Sequence, residues 1–159
     1  NGYDFMDDPM FHRRRVVRLP DDIYVIEDRV TGICGENHDI RLYFNFAFGH
    51  LEGENGKFDY ISQKGRRYTM TVQADKKLDF EILEGSEDPI GGWISYGYAW
   101  RKPIPQLIAK HNGKAPIHFI TVLAPAGTRA EAAINGNAAT VTLAGGKVLT
   151  LTENAVELR

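Results

Sequence analysis

Between His38 and Phe48 every second residue is apolar. Ile40, Leu42, Phe44, Phe46 and Phe48 share one side of an extended chain, and Asp39, Arg41, Tyr43, Asn45 and Ala47 share the other. A period of two does not fit a helix, whose apolar residues recur every three to four positions. It predicts a half-buried antiparallel strand with one large apolar face.

The flanking chain follows the same logic. Phe11–Leu19 and Ile23–Val30 read as two strands joined by the turn residues Pro20-Asp21-Asp22, which makes a hairpin. The first half of Phe11–Leu19 is polar on both sides, which suggests an end projecting beyond the core. Thr31–Asn37, with two glycines around Cys34, reads as a loop, and so does the polar, glycine-bearing Gly49–Gly56. Lys57–Ile61, Arg66–Gln73 and Lys77–Leu83 are three short strands, and Glu84–Gly92 is a further loop. Beyond Pro125 the composition shifts to Ala and Gly. Ala139–Leu143, Lys147–Thr152 and Ala155–Leu158 form a terminal meander, while Arg129–Ile134 admits one helical turn. No amphipathic helix of ten residues is present. The expectation is a single all-β domain over residues 1–159, an antiparallel β-sandwich of about a dozen short strands with little or no helix, closed as two packed sheets. Residues 1–125 form its main part and 126–159 the meander.

Composition excludes several classes. A formal charge of −2 over 159 residues gives no overall basic field, so nucleic acid is not an expected partner. The local clusters His12-Arg13-Arg14-Arg15 and Lys64-Gly65-Arg66-Arg67 are either solvated faces or patches that meet an acidic polymer. One cysteine excludes an intrachain disulfide. No run of eighteen apolar residues and no charged-then-apolar leader occurs, so neither a membrane span nor a signal peptide is expected. A chain beginning at Asn1 reads as a segment of a longer protein.

The densest chemistry lies in Gly91–Pro125. As one extended strand, Trp93–Trp100 would place Trp93, Ser95, Gly97 and Ala99 on one face and Ile94, Tyr96, Tyr98 and Trp100 on the other. Such an aromatic face suits sugar rings or a partner surface, and it equally suits a sandwich core. Ile117–Leu123 is strongly apolar, and His118 within it reads as a satisfied core histidine.

No catalytic constellation emerges. The serines lack a G-x-S-x-G elbow and no phosphate-cradling loop occurs. His38 and His50 stand at opposite ends of the Phe-rich strand, too far apart to share a metal ion. Asp7-Asp8, Asp21-Asp22 and Glu87-Asp88 read as turn features, and Cys34 as a loop thiol. No catalytic residue, metal site or cofactor is expected within the chain.

The order of several short motifs resembles the heparinase II/III-like proteins. They are His12-Arg13-Arg14, then Val25-Ile26-Glu27-Asp28-Arg29-Val30-Thr31-Gly32, then Gly35-Glu36-Asn37-His38 ahead of the alternating strand. Later come Gly92-Trp93-Ile94-Ser95-Tyr96-Gly97-Tyr98, Pro103-Ile104-Pro105 and Phe119-Ile120-Thr121-Val122-Leu123-Ala124-Pro125. One extra residue between Glu36 and His38 departs from the pattern. The resemblance covers residues 2–125. It implies the C-terminal β domain of a polysaccharide lyase that cleaves uronic-acid-containing chains by β-elimination, preceded in the parent chain by a helical toroid domain. It also implies that the catalytic tyrosine and histidines lie in parts this sequence does not contain. His111-Asn112 resembles the family's His-Asn pair only superficially and reads as a turn. An acidic polysaccharide would be the partner, with His12, Arg13, Arg14 and Arg101 as candidate cations and Tyr96, Tyr98 and Trp100 as candidate stacking residues. An independent carbohydrate-binding module and a non-catalytic interaction domain are the alternatives. The compartment stays open, a periplasmic or secreted parent being compatible with the resemblance.

Overall fold

The computed structural model describes residues 8–33 and 35–159; Cys34 and Asn1–Asp7, including the irregular entry and half of the Asp7-Asp8 pair, lie outside the described residues. The chain is all-β. A six-stranded sheet holds β1 (Met10–Arg18), β2 (Tyr24–Gly32), β4 (Gly49–Glu54), β5 (Lys57–Ser62), β6 (Arg67–Ala74) and β13 (Ile117–Pro125), in the order β1-β2-β13-β6-β5-β4. A three-stranded sheet runs β3 (Asn37–Asn45), β12 (Pro105–Lys114), β7 (Asp79–Glu84). The terminal meander is β14 (Ala130–Asn135), β15 (Ala138–Leu143), β16 (Val148–Leu151) and β17 (Val156–Leu158). Between β7 and β12 lie the two-residue strands β8 (Ser86–Glu87) and β9 (Ile90–Gly91) and a hairpin, β10 (Trp93–Gly97) and β11 (Trp100–Pro103).

The layers number three rather than the two expected. Val30, Phe58, Met70, Ile117 and Phe119 leave the six-stranded sheet on one face and meet Ile40, Leu42, Phe44, Leu107 and Ala109 of the three-stranded sheet. Val25, Ile120, Val122 and Ala124 leave it on the other and meet Ala139, Val141, Leu149 and Leu151 of the meander. Opposite parity along β2 and β13 makes this unavoidable, since alternate side chains of a strand point to opposite faces. A strand covered on both sides reads as a continuous apolar run, which is why β13 lacks alternation.

Five local expectations are corrected. Arg129–Ile134 is no helical turn; it supplies β14, whose Ala132 and Ile134 pack on the meander core while Asn135 pairs with Ala138 across a turn with Gly136 at φ 57°. Gly49–Gly56 is no loop but β4 and the turn into β5, with Asn55 and Gly56 at φ 53° and 80°, the left-handed pair a tight hairpin needs. The Glu84–Gly92 loop contains β8 and β9, paired Ser86 to Gly91 and Glu87 to Ile90. His111-Asn112 is not a turn: both lie within β12, opposite Ile40 and Asp39 of β3. The Phe-rich strand ends at Asn45; Phe46 still packs on the core, and its N–H donates to the Pro105 carbonyl at 2.9 Å.

Candidate functional site

The hairpin β1–β2 pairs Arg14 opposite Asp28 and Arg15 opposite Glu27. Both carboxylates are buried, Glu27 at 1% exposure and Asp28 at 0%, so each needs partners inside the protein. Asp28 accepts from Arg14 Nε at 2.7 Å and Nη2 at 3.1 Å, and its Oδ1 lies 2.5 Å from His12 Nε2. Glu27, on the opposite face of the strand, accepts from Arg15 Nε at 2.5 Å and from Arg29 Nε and Nη2 at 3.0 and 2.9 Å. His118 Nε2 lies 2.9 Å from Glu27 Oε1. The polar half of β1 therefore does not project past the core; its side chains neutralise carboxylates that β2 buries.

The electrostatics of this network are one-sided. Burial pushes Glu27 up, but hydrogen bonds from Arg29 and Arg15, and then their charges, outweigh it and hold the carboxyl below its ordinary value. Burial, followed by the charge of Arg29, holds His118 below the ordinary histidine value against the opposing hydrogen bond to Glu27. His118 is thus neutral near pH 7, donating from Nε2 to Glu27, but its buried Nδ1 has no hydrogen-bond partner among the described residues, so the expected core histidine is satisfied at one nitrogen only.

Beside this network a cleft of about 590 Å³ opens where the ends of β1, β2 and β13 meet the turns of the meander. Its polar lining includes Arg13, Arg29, Asp75, His118, Asn137 and Glu153. Its apolar lining is Phe11, Val30, Pro116 and Ile117. Arg29 is fixed there, its Nη2 also donating to the Asn137 carbonyl at 2.7 Å, whereas the exposed Arg13 donates to the Glu153 carbonyl at 3.0 Å. Asp75 Oδ1 accepts from the His118 backbone N–H at 3.0 Å.

The aromatic candidates lie elsewhere. Trp93–Trp100 is not one strand: Tyr98-Ala99 forms a turn, Gly97 pairs with Trp100, and a register shift between Ile94 and Gly97 interrupts the alternation. Ala99 takes φ 56° there. The rings are outside the core. Tyr98 is fully exposed and Tyr96 is 71% exposed, with the Tyr96 and Trp100 centroids 5.4 Å apart and tilted by 35°. Lys102 Nζ sits 5.4 Å from the Trp100 centroid, and Arg101 lies 4.1 Å over Trp93 while pairing with Glu87 at 2.6 Å.

The sequence-predicted residues therefore fall into two groups. His12 and Arg13 line the cleft, with Arg14 turned to Asp28; Tyr96, Tyr98, Trp100 and Arg101 belong to the hairpin. The hairpin joins β12 at Pro105, and β12 runs ten residues before the Lys114–Ile117 connection reaches the cleft. Ten extended residues separate the two sites by roughly 30 Å. Arg29, Asp75, Asn137 and Lys102 were not singled out in the sequence. For Arg29 a signal existed, because the period of two along β2 sets it on the same face as Glu27, two residues away. Among the described residues no group of three His, Cys, Asp or Glu side chains could hold a metal ion, and no helix is long and apolar enough to cross a membrane.

No protein-family model and no curated protein matches the sequence. Solved structures do match the fold. A heparinase III gene product superposes with a TM-score of 0.69 at 18% identity, over 89% of this chain and 23% of that one. Heparan sulfate lyase HepC from Pedobacter heparinus gives 0.67 at 12% identity, over 94% of this chain and 24% of that one. A further heparinase III gives 0.65 at 17%, over 94% and 23%. The chain spans just under a quarter of the length of the structures it matches, and over that span it has the β fold that heparinase III and heparan sulfate lyase HepC carry.

Proposed function

We propose that this chain is the C-terminal β-sandwich domain of a heparinase II/III-like polysaccharide lyase, without catalytic residues of its own. The observation that carries the reading is the fold likeness over nine-tenths of the chain, which covers only a minor part of each matched enzyme. The ordered motifs from His12-Arg13-Arg14 to Phe119–Pro125 support it. In the parent reaction a tyrosine or histidine of the remaining chain would remove the C5 proton of a uronate while its carboxylate charge is neutralised. This domain would contribute framework and glycan contacts. Titrating the chain with heparan-type and alginate-type polysaccharides and a neutral control tests the reading, with absorbance of unsaturated uronate products read on the same samples. Saturable binding of an acidic polymer without product is the expected outcome. Product formation would overturn the catalytically silent assignment, and no binding to any acidic polymer would remove the glycan contact.

The exposure of Tyr96, Tyr98 and Trp100 favours a second reading, an independent carbohydrate-binding module acting through the β10–β11 hairpin. Exposed rings present an apolar body with a polar tip, the shape that stacks on a pyranose. Loss of polymer binding on Trp100→Ala, with Arg13→Ala unaffected, would select it.

A further inference from the structure

We propose that the cleft between β1, β2, β13 and the meander is a binding site for a hydroxyl-rich sugar acid, a single uronate-bearing saccharide unit, distinct from the aromatic hairpin. The inference rests on the glycan-binding reading above and assigns it a place and a chemistry. Three features carry it.

The first is preorganisation. Arg29 is only 16% exposed at its side chain, and Glu27 and the Asn137 carbonyl hold its guanidinium in one orientation at the cleft wall. A donor already fixed loses little conformational freedom when a ligand arrives.

The second is charge. Glu27 is buried against two guanidiniums, Arg15 and Arg29, with a neutral His118 as third partner, so the network behind the cleft carries one more cation than anion. Arg13, exposed on the rim, adds another. Asp75 and Glu153 face the same space and balance that excess, so the cleft holds both signs without net charge, and His12 at its edge is committed to Asp28. The lining thus offers guanidiniums for one carboxylate and carboxylates that accept from hydroxyls. Asp75 and Glu153 repel a densely charged anion, and a neutral sugar leaves the guanidiniums unused.

The third is shape. About 590 Å³ lies within the range of small-molecule sites, and the part-exposed Phe11 and the exposed Pro116 give the polar groups an apolar counterface for the C–H side of a sugar ring.

The test is an NMR titration of the 159-residue chain with a glucuronate-containing disaccharide, compared with a neutral disaccharide and with inorganic sulfate. Saturating shifts at Arg13, Arg29, Asn137 and Glu153 with the acidic disaccharide are expected. Arg13→Ala should weaken them about tenfold, the loss of one charge-assisted contact, and Trp100→Ala should leave them unchanged. Equal responses to all three probes, or shifts confined to Tyr96–Trp100, overturn the cleft assignment, the latter while leaving the glycan reading in place. A chain that responds to none of these probes and to no acidic polymer loses both.

Discussion

Glu27 and Asp28 are neighbours in one strand, yet their carboxylates leave the central sheet on opposite faces and each meets its own set of cations. The strand period forces the separation, and the register of β1 supplies both answers, Arg15 to one and Arg14 to the other. Replacing Glu27 strips two largely covered guanidiniums, Arg15 and Arg29, of their counter-charge. Glu27→Gln should cost about 3 kcal/mol or more, read as a lower urea midpoint with an unchanged slope. Asp28→Asn should cost less, because Arg14 and His12 both reach solvent.

Acid should unfold the protein in two steps of the same sign. His118 titrates below its ordinary value of 6.5 in the folded chain, so the unfolded chain binds the proton first and stability falls as pH drops from about 6.5 towards the depressed value. Glu27 titrates below its ordinary 4.5, so its contribution is intact above that value and is lost as pH falls through the folded one. Urea midpoints followed from pH 8 to pH 3 should show both declines. His118→Gln should remove the upper one; an upper decline that survives it places the proton elsewhere.

Burial separates the aromatic residues into two energetic classes. Phe119 is fully buried between layers and Phe119→Ala should cost about 3–5 kcal/mol. Tyr98→Ala, at the exposed tip of the hairpin, should change stability by less than about 0.5 kcal/mol. Thermal or urea unfolding of the pair distinguishes them, and a large cost at Tyr98 would mean that the ring is covered.

The β4–β5 turn gives a backbone test. Gly56 sits at φ 80°, and a Cβ there would lie 2.5 Å from the Val72 carbonyl oxygen, an atom fixed in β6. Gly65, at φ 74°, has open space around the same position. Gly65→Ala should cost about 1 kcal/mol, the left-handed strain alone, and Gly56→Ala distinctly more. Equal costs would show that β6 yields to the added methyl.

These contrasts also indicate what the sequence could disclose. The strand from His38 was readable because one face of β3 meets the core and the other meets solvent. The β1–β2 hairpin was readable from Pro20-Asp21-Asp22, and with it, in principle, the Arg14–Asp28 and Arg15–Glu27 pairs. The Asn55-Gly56 hairpin signal was present but submerged in a polar, glycine-bearing segment. β12 gave no such cue: Leu107, Ile108 and Ala109 are buried in succession, and its second half is polar, with Lys110 paired to Glu81 across the sheet. The contact of His118 with Glu27 bridges 91 positions and depends on β13 docking beside β2, which no local pattern encodes. The aromatic stretch misled because a bulge and a two-residue turn break a period that the residue types alone appear to continue.

The double-faced burial of β13 also sets where this chain can be cut. A version ending at Pro125 would keep every strand of the six-stranded and three-stranded sheets but uncover Val25, Ile120, Val122 and Ala124 together. A contiguous apolar patch on a sheet is an invitation to self-association. The alanine- and glycine-rich tail, which looks dispensable in composition, is in this sense the segment that keeps the rest of the molecule in solution.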